Sequence, residues 1–215
     1  AFVMLDLDNF KQVNDGNGHA AGDALLIQAA HRLGSVLPEG ALLARIGGDE
    51  FACVLSYAPD RPRAVDALVD RLIDTVCQPV RFSGTEIGAT ISAGIASHLP
   101  GASNDPRAVL HQADIAMYHA KKRGRNRHCW FDPAMEQELR LRSEVETGIR
   151  CGLASGEFAP CYQKEIDLRT GRLTGYEMLP RWQRVGEAEI SPELFIPIAE
   201  ETGLIDFLFE NLLRR

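Results

Sequence analysis

No stretch of the 215-residue sequence approaches the roughly 20 consecutive apolar residues that cross a bilayer. The opening residues, AFVMLDLDNF, carry neither a basic n-region nor a small-residue cleavage site, so no secretory signal is expected. Neither C-x-x-C nor H-E-x-x-H occurs. The five cysteines (Cys53, Cys77, Cys129, Cys151, Cys161) are odd in number and widely spaced, which suggests neither a zinc set nor a disulfide framework. Reduced thiols in a cytoplasmic protein are the simplest expectation. There is no low-complexity linker and no convincing internal repeat. Excess positive charge is also missing: 23 Lys and Arg against 30 Asp and Glu give a net charge of −7. That argues against a polymeric nucleic acid as partner, because such binders are usually basic. A small phosphate ligand stays compatible, since a local basic cluster or a metal ion can hold it.

What is present is ordinary for a globular chain: 45% apolar and 25% charged residues. Phe2 to Leu7 reads as a short strand interrupted by Asp6 and followed by Asp8. VNDGNGHAAGD, with glycines at 16, 18 and 22, reads as a turn-rich loop. From Ala24 to Leu37 the apolar residues recur every three to four positions, which predicts an amphipathic helix ended by Pro38. ALLARI and FACVLS predict a β-hairpin turning at Gly47-Gly48-Asp49-Glu50. Further helices are expected over 62–77 and from about Asn104-Asp105-Pro106 to Gly124, with a single strand over 86–97 and a closing strand at RHCWF. Strands alternating with helices predict an α/β unit with helices packed on a mixed sheet.

This unit is expected to span residues 1–131, a linking helix 132–154, and the start of a second unit 155–215. The second unit has two strands split by Arg169-Thr170-Gly171-Arg172, then a helix. Ala1 sits directly before a predicted core strand, and FLFENLLRR reads as the middle of an amphipathic helix. Both ends therefore read as cuts through a longer protein. Leu204, Phe207, Leu208, Leu212 and Leu213 are expected to lack partners and to promote aggregation.

The chemistry centres on the hairpin tip. Gly47 and Gly48 supply its turn, and Asp49 and Glu50 place two carboxylates there. Asp6 and Asp8 add carboxylates at the end of an apolar strand, where a charge is costly unless paired or metal-bound. If that strand lies beside the hairpin, Asp6 and Asp49 converge. Clustered carboxylate oxygens suit Mg²⁺, a hard cation that binds nucleotide phosphates, and do not suit zinc. Lys11 offers a point charge to a phosphate, and Asn14 and Asp23 could read a base. A carboxylate accepts both N1–H and N2–H of guanine, whereas adenine presents an acceptor at N1. Each residue also has a plainer reading: Asp49 and Glu50 as solvated turn residues, Asp23 as a helix cap, Asn14 in an Asx-turn, Lys121 and Arg125 as a solvated basic helix end.

LDLDNFKQVNDGNGHAAGD, GGDEF and ADIAMYHAKKRGRN, in that order, resemble the signature of the bacterial GGDEF domain, the diguanylate cyclase family, over about residues 1–131. The resemblance implies a palm-like α/β fold and condensation of two GTP into cyclic di-GMP and pyrophosphate by two facing domains, hence a homodimer. It implies two Mg²⁺ per active site, with Mn²⁺ as an alternative, held by Asp6, Asp49 and the carbonyl of Leu7. Asp49 would help deprotonate the attacking hydroxyl, and Glu50 is the neighbouring signature carboxylate. Lys11 would stabilise the transition state. Asn14, His19 and Asp23 would contact the nucleotide, Lys121 and Arg125 its terminal phosphates, and Gly47 and Gly48 would leave room for GTP. Pro38-Glu39-Gly40-Ala41 stands where members with product inhibition carry R-x-x-D, so no such inhibitory site is expected.

CYQKEIDLRTGRLTGYEMLPRW and PELFIPIAEETGLI resemble the start of an EAL domain, the cyclic di-GMP phosphodiesterase family, whose fold is a TIM-like barrel. Gln163, Glu177 and Arg181 match family positions: Glu177 would be its first metal ligand and Arg181 a phosphate contact. Lys164 replaces the usual Pro. Hydrolysis is not expected from this portion alone. Three functions follow: a cyclase, a GTP-binding module that regulates an EAL phosphodiesterase, or a phosphodiesterase in the longer protein. The segment is cytoplasmic in character, and the full-length protein could be membrane-anchored through regions before it.

Overall fold

The structure is a computed structural model and describes residues 1–58, 60–97, 105–184, 186 and 188–214. It divides into two units, residues 1–136 and 137–215.

In the first unit the strands β1 (Phe2–Leu7), β2 (Leu42–Gly47), β3 (Glu50–Val54), β6 (Ile91–Ala96) and β7 (His128–Trp130) form one sheet in the order β2-β3-β1-β6-β7. All neighbours are antiparallel except β6 and β7. β1 therefore lies between the signature hairpin and β6, central and paired on both edges. Its period-two pattern divides its side chains between two layers. Val3, Leu5 and Leu7 enter a core with helices α2 (His19–Val36) and α3 (Pro62–Val76). Met4 faces the other way, with Ala113 and Met117 of α4 (Pro106–Lys122). Asp6 follows Met4 on that α4 side, which sets up the site.

Helix α2 buries Leu25, Ala29 and Leu33, one residue per turn. Helix α3 buries Val65, Val69, Leu72 and Val76. Arg32 of α2 donates to the carbonyls of Val76, Gln78 and Pro79, satisfying groups at the end of α3. Asp105 caps α4 by accepting from the Arg107 amide at 2.9 Å, and Pro106 opens the first turn. Asn104 lies outside the described residues. Gly94 of β6 lets α4 approach closely: a Cβ there would lie 1.9 Å from the Ala113 carbonyl oxygen and 2.2 Å from the Met117 nitrogen.

Two expectations for the elements of the first unit are corrected. The stretch 13–23 is not a loop: α1 (Phe10–Asn17) and α2 run through it, broken only at Gly18, whose φ is +83°. Phe10 and Val13 pack against the core and Ala21 and Leu25 are buried, so tertiary packing overrides the turn-forming composition. The run 86–97 is two strands. β5 (Thr85–Ile87) pairs with β4 (Val80–Phe82) in a separate ribbon, while β6 joins the main sheet. Alternation is the same in both pieces, so periodicity alone could not divide them.

The second unit contains most of α5 (Pro133–Ser155), the hairpin β8 (Phe158–Ile166) and β9 (Leu173–Trp182), and helices α6 (Pro192–Glu201) and α7 (Ile205–Leu213). Phe158, Trp182 and Phe195 form an aromatic cluster with centroids 5.1–5.6 Å apart. The Trp182 indole N–H donates to Glu157 at 2.9 Å, so the buried ring leaves no unpaired donor. Leu204, Leu208 and Leu212 are buried in this core, contrary to the expectation that they lack partners; Phe207 and Leu213 are exposed. The helices amphipathic in sequence find their apolar partners inside this unit.

Candidate active site

The site lies where β1 ends against the hairpin tip. In register, Asp6 of β1 stands opposite Glu50 of β3 on one side and Ser92 of β6 on the other. The Leu7 amide donates to the Asp49 carbonyl at 3.2 Å, tying the turn to the end of β1. Arg45 reinforces the turn, its Nε and Nη2 donating to the Gly48 carbonyl at 2.9 and 2.6 Å. Sheet register thus brings Asp6, Asp49 and Glu50 to one end of the sheet.

Asp6 is only 8% exposed. Its carboxylate meets the Lys121 ammonium at 2.8 Å. Burial pushes the Asp6 carboxyl above its ordinary range; the Lys121 hydrogen bond and charge oppose this, and the charges of Asp49 and Glu50 add to it. The group is thus an ionisable oxygen donor whose charged form wants more positive charge than Lys121 supplies.

Asp8 behaves differently. It is 3% exposed. Its oxygens accept from the Thr90 hydroxyl at 2.7 Å, the Ser92 hydroxyl at 2.8 Å and the Asn126 amide at 3.3 Å. Arg125 Nε lies 4.0 Å away. Lys121 lies in the last turn of α4, whereas Arg125 lies beyond the helix end, so the two acid–base pairs are built from different local structures.

The nucleotide-facing candidates Lys11, Asn14, His19 and Asp23 lie on α1 and α2. Lys11, His19 and Asp23 are exposed and form no ion pair among the described residues. Asp23 is not a cap; it lies inside α2, whose N-cap is Gly18. Asn14 is within α1, not in a loop, and its side chain lies against Gly22, where a Cβ would come within 2.0 Å of Oδ1. Asp23 and Arg45 line a cleft of about 470 Å³ between α2 and the hairpin, with Ile27 and Leu43 as apolar walls. Sequence reasoning missed Arg45; its place beside the signature glycines was the available signal. It also missed Thr90 and Ser92, which carry no motif and join the site only through the β1–β6 register.

Among the described residues, no group of three or more His, Cys, Asp or Glu side chains is assembled around a common metal position. The donor chemistry nevertheless fits a hard divalent cation, since Asp6, Asp49 and Glu50 offer oxygen alone. In the second unit Gln163 and Glu177 are direct cross-strand partners on β8 and β9. Arg181 pairs with Glu189 at 3.3 Å.

The five cysteines are free. Among the described residues no helix is long and apolar enough to cross a membrane.

This arrangement has known counterparts. The GGDEF domain of YfiN (TpbB) from Pseudomonas aeruginosa superimposes with a TM-score of 0.57 at 37% identity, covering 61% of this chain and 81% of that one. MucR of Pseudomonas aeruginosa, a bifunctional diguanylate cyclase/cyclic di-GMP phosphodiesterase, is 36% identical over 205 residues, which are 95% of this chain and 30% of MucR. PdeR of Escherichia coli, a cyclic di-GMP phosphodiesterase, is 38% identical over 203 residues, which are 94% of this chain and 30% of PdeR. The chain spans about a quarter to a third of the length of the curated relatives it matches. The EAL domain family matches residues 146–215. The family described as "Diguanylate cyclase, GGDEF domain" matches residues 1–127, and the chain belongs to it, with part of an EAL domain following in sequence.

Proposed function

We propose that the first unit is a diguanylate cyclase that condenses two GTP molecules into cyclic di-GMP and two pyrophosphates. The observation that carries the reading is the buried Asp6 set opposite Glu50 and bound to Lys121 at 2.8 Å. A half-buried cation–carboxylate constellation at strand ends suits phosphoryl transfer, which needs positioning and charge neutralisation more than covalent chemistry.

Asp6, Asp49 and the Leu7 carbonyl would hold two Mg²⁺, which supply neutralisation of the phosphates and polarise the reacting oxygens. The chain's own residues do the rest. Asp23, with Asn14, accepts from the guanine edge at the cleft, and His19 adds a contact to the nucleotide. Gly47 and Gly48 let the backbone approach the phosphates. Lys121 and Arg125 neutralise the terminal phosphates, and Lys11 the α-phosphate as charge develops. Asp49 takes the proton from the 3′-hydroxyl. Each domain holds one GTP, so the attacking hydroxyl comes from the partner's nucleotide and the working species is a homodimer.

A second reading is a GGDEF unit that binds GTP and regulates an EAL phosphodiesterase. It is favoured by the 38% identity to PdeR, a phosphodiesterase. The deciding experiment incubates the protein with GTP and Mg²⁺ at several protein concentrations and measures cyclic di-GMP, with Asp49→Ala as control. The cyclase gives product that rises faster than linearly with protein and disappears in the variant. Guanine-specific GTP binding without product at any concentration refutes the cyclase for this chain and supports the regulatory module.

A further inference from the structure

We infer that Asp8 is a positioning residue that holds the turn after α4, and through it aims Arg125 at the nucleotide. The inference rests on the nucleotide-facing role proposed above for Arg125.

Three observations carry it. First, Asp8 is a nearly buried carboxylate with partners from two distant parts of the chain. Thr90 and Ser92 come from β6 and its approach, and Asn126 from the turn beyond α4. Ser92 is itself fully buried. A carboxylate in such a place is retained at a cost unless its acceptors are used.

Second, the turn is strained. Gly124, Arg125 and Asn126 have φ of 108°, 60° and 49°, three consecutive left-handed residues of which two carry side chains. Such a segment persists only when its surroundings determine it. The Arg125 amide is tied to the Ala120 carbonyl at 3.1 Å, and the next amide, that of Asn126, is tied to Asp8. The Cys77 thiol meets the Asn126 side chain at 3.1 Å, and the Arg127 carbonyl accepts from Ala93 at 2.9 Å. Asp8 supplies the charged anchor of this set.

Third, Arg125 Nε lies 4.0 Å from Asp8, too long for a direct hydrogen bond but within reach of its charge. Asp8 thus restrains the Arg125 backbone from one side and attracts its guanidinium without consuming its donors. Half of the Arg125 side chain stays exposed, with a relative accessibility of 52%, available to an anionic ligand. Asp6 and Lys121 form a direct contact one step away, so the two pairs differ in kind.

The test is Asp8→Asn, which keeps the shape and one acceptor but removes the charge. Binding of a fluorescent GTP analogue is measured for wild type, Asp8→Asn, Arg125→Ala and the double variant, together with amide hydrogen exchange across 120–128. Asp8→Asn is expected to weaken nucleotide binding about tenfold, and less than about twofold when Arg125 is already Ala. The amides of 124–126 are expected to exchange about tenfold faster, with β1 and β6 unchanged. Equal losses in both backgrounds, or unchanged exchange of the turn, overturn the inference. If Asp8→Asn does not fold, Thr90→Val removes one anchor of the carboxylate and is held to the same criteria. If the wild-type chain binds no GTP, the proposed function falls, and turn exchange alone decides whether Asp8 positions the segment.

Discussion

Replacing Gly94 with Ala tests the packing that carries Lys121 to Asp6. Gly94 sits in β6 opposite Met4 of β1, beneath α4. A Cβ would meet the Ala113 carbonyl oxygen at 1.9 Å, the Met117 nitrogen at 2.2 Å and the Met117 Cα at 2.9 Å. All three are backbone atoms of α4, so no side-chain rotation relieves the clash. Ordinary contact begins near 3.4 Å, so α4 must retreat by about 1.5 Å. Overpacking of this kind costs about 1–3 kcal/mol and sometimes more, and a backbone-only clash belongs at the upper end. At about 3 kcal/mol the unfolding midpoint should fall by roughly 10 °C. The same retreat stretches the Lys121–Asp6 contact from 2.8 Å towards the limit of about 4 Å for an ion pair. GTP binding should therefore weaken along with stability. Thermal unfolding by circular dichroism reads the first effect and nucleotide titration the second. Gly16→Ala is the control: α1 leaves open space there, so it should be neutral or stabilise by up to about 1 kcal/mol. A Gly94→Ala protein within about 0.5 kcal/mol of wild type would refute this packing, and with it the account of how Lys121 reaches Asp6.

Gly22→Ala should be cheaper to stability, because the Cβ meets chiefly the Asn14 side chain, which can rotate away. It should reduce the preference for GTP over ATP, read by competitive nucleotide binding; an unchanged preference would show that Asn14 does not read the base. Burial pushes the Cys53 thiol up to about 12 from 9.0. The native state therefore keeps this proton when the unfolded chain has lost it, so the contribution is complete below pH 9 and is lost as pH rises towards 12. Across that window wild type should lose stability more steeply than Cys53→Ala, by up to about 1.4 kcal/mol per pH unit in denaturant titrations; equal slopes would refute the assignment. At neutral pH a thiol reagent should modify the exposed Cys151 and Cys161 first, with buried Cys53 and Cys129 reacting only on unfolding.

Much of the site could be read along the chain because its residues cluster in short motifs. Strand β1, the hairpin and its GGDE turn, and the amphipathic faces of α2, α3 and α4 are periodic or carry punctuating residues, which local chemistry determines. The helices through 13–23 were not readable, since their glycines and asparagines favour turns until Phe10, Val13, Ala21 and Leu25 find the core. Leu204, Leu208 and Leu212 share a core with Phe158, Trp182 and Phe195, which a partial barrel does not lead one to expect.

Sequence by itself determined the chemical inventory: which carboxylates, cations and glycines exist, and in what local spacing. Tertiary structure alone decided their division of labour. Asp6 and Asp8 look equivalent in DLD, yet register sets Asp6 among Asp49, Glu50 and Lys121, while Asp8 meets two hydroxyls and a backbone amide. The physical reason is that a carboxylate's role follows from the donors and charges around it. For Asp8 those arrive from β6, the residue before it and the turn after α4, 82 to 118 residues away in the chain, where no local pattern can announce them.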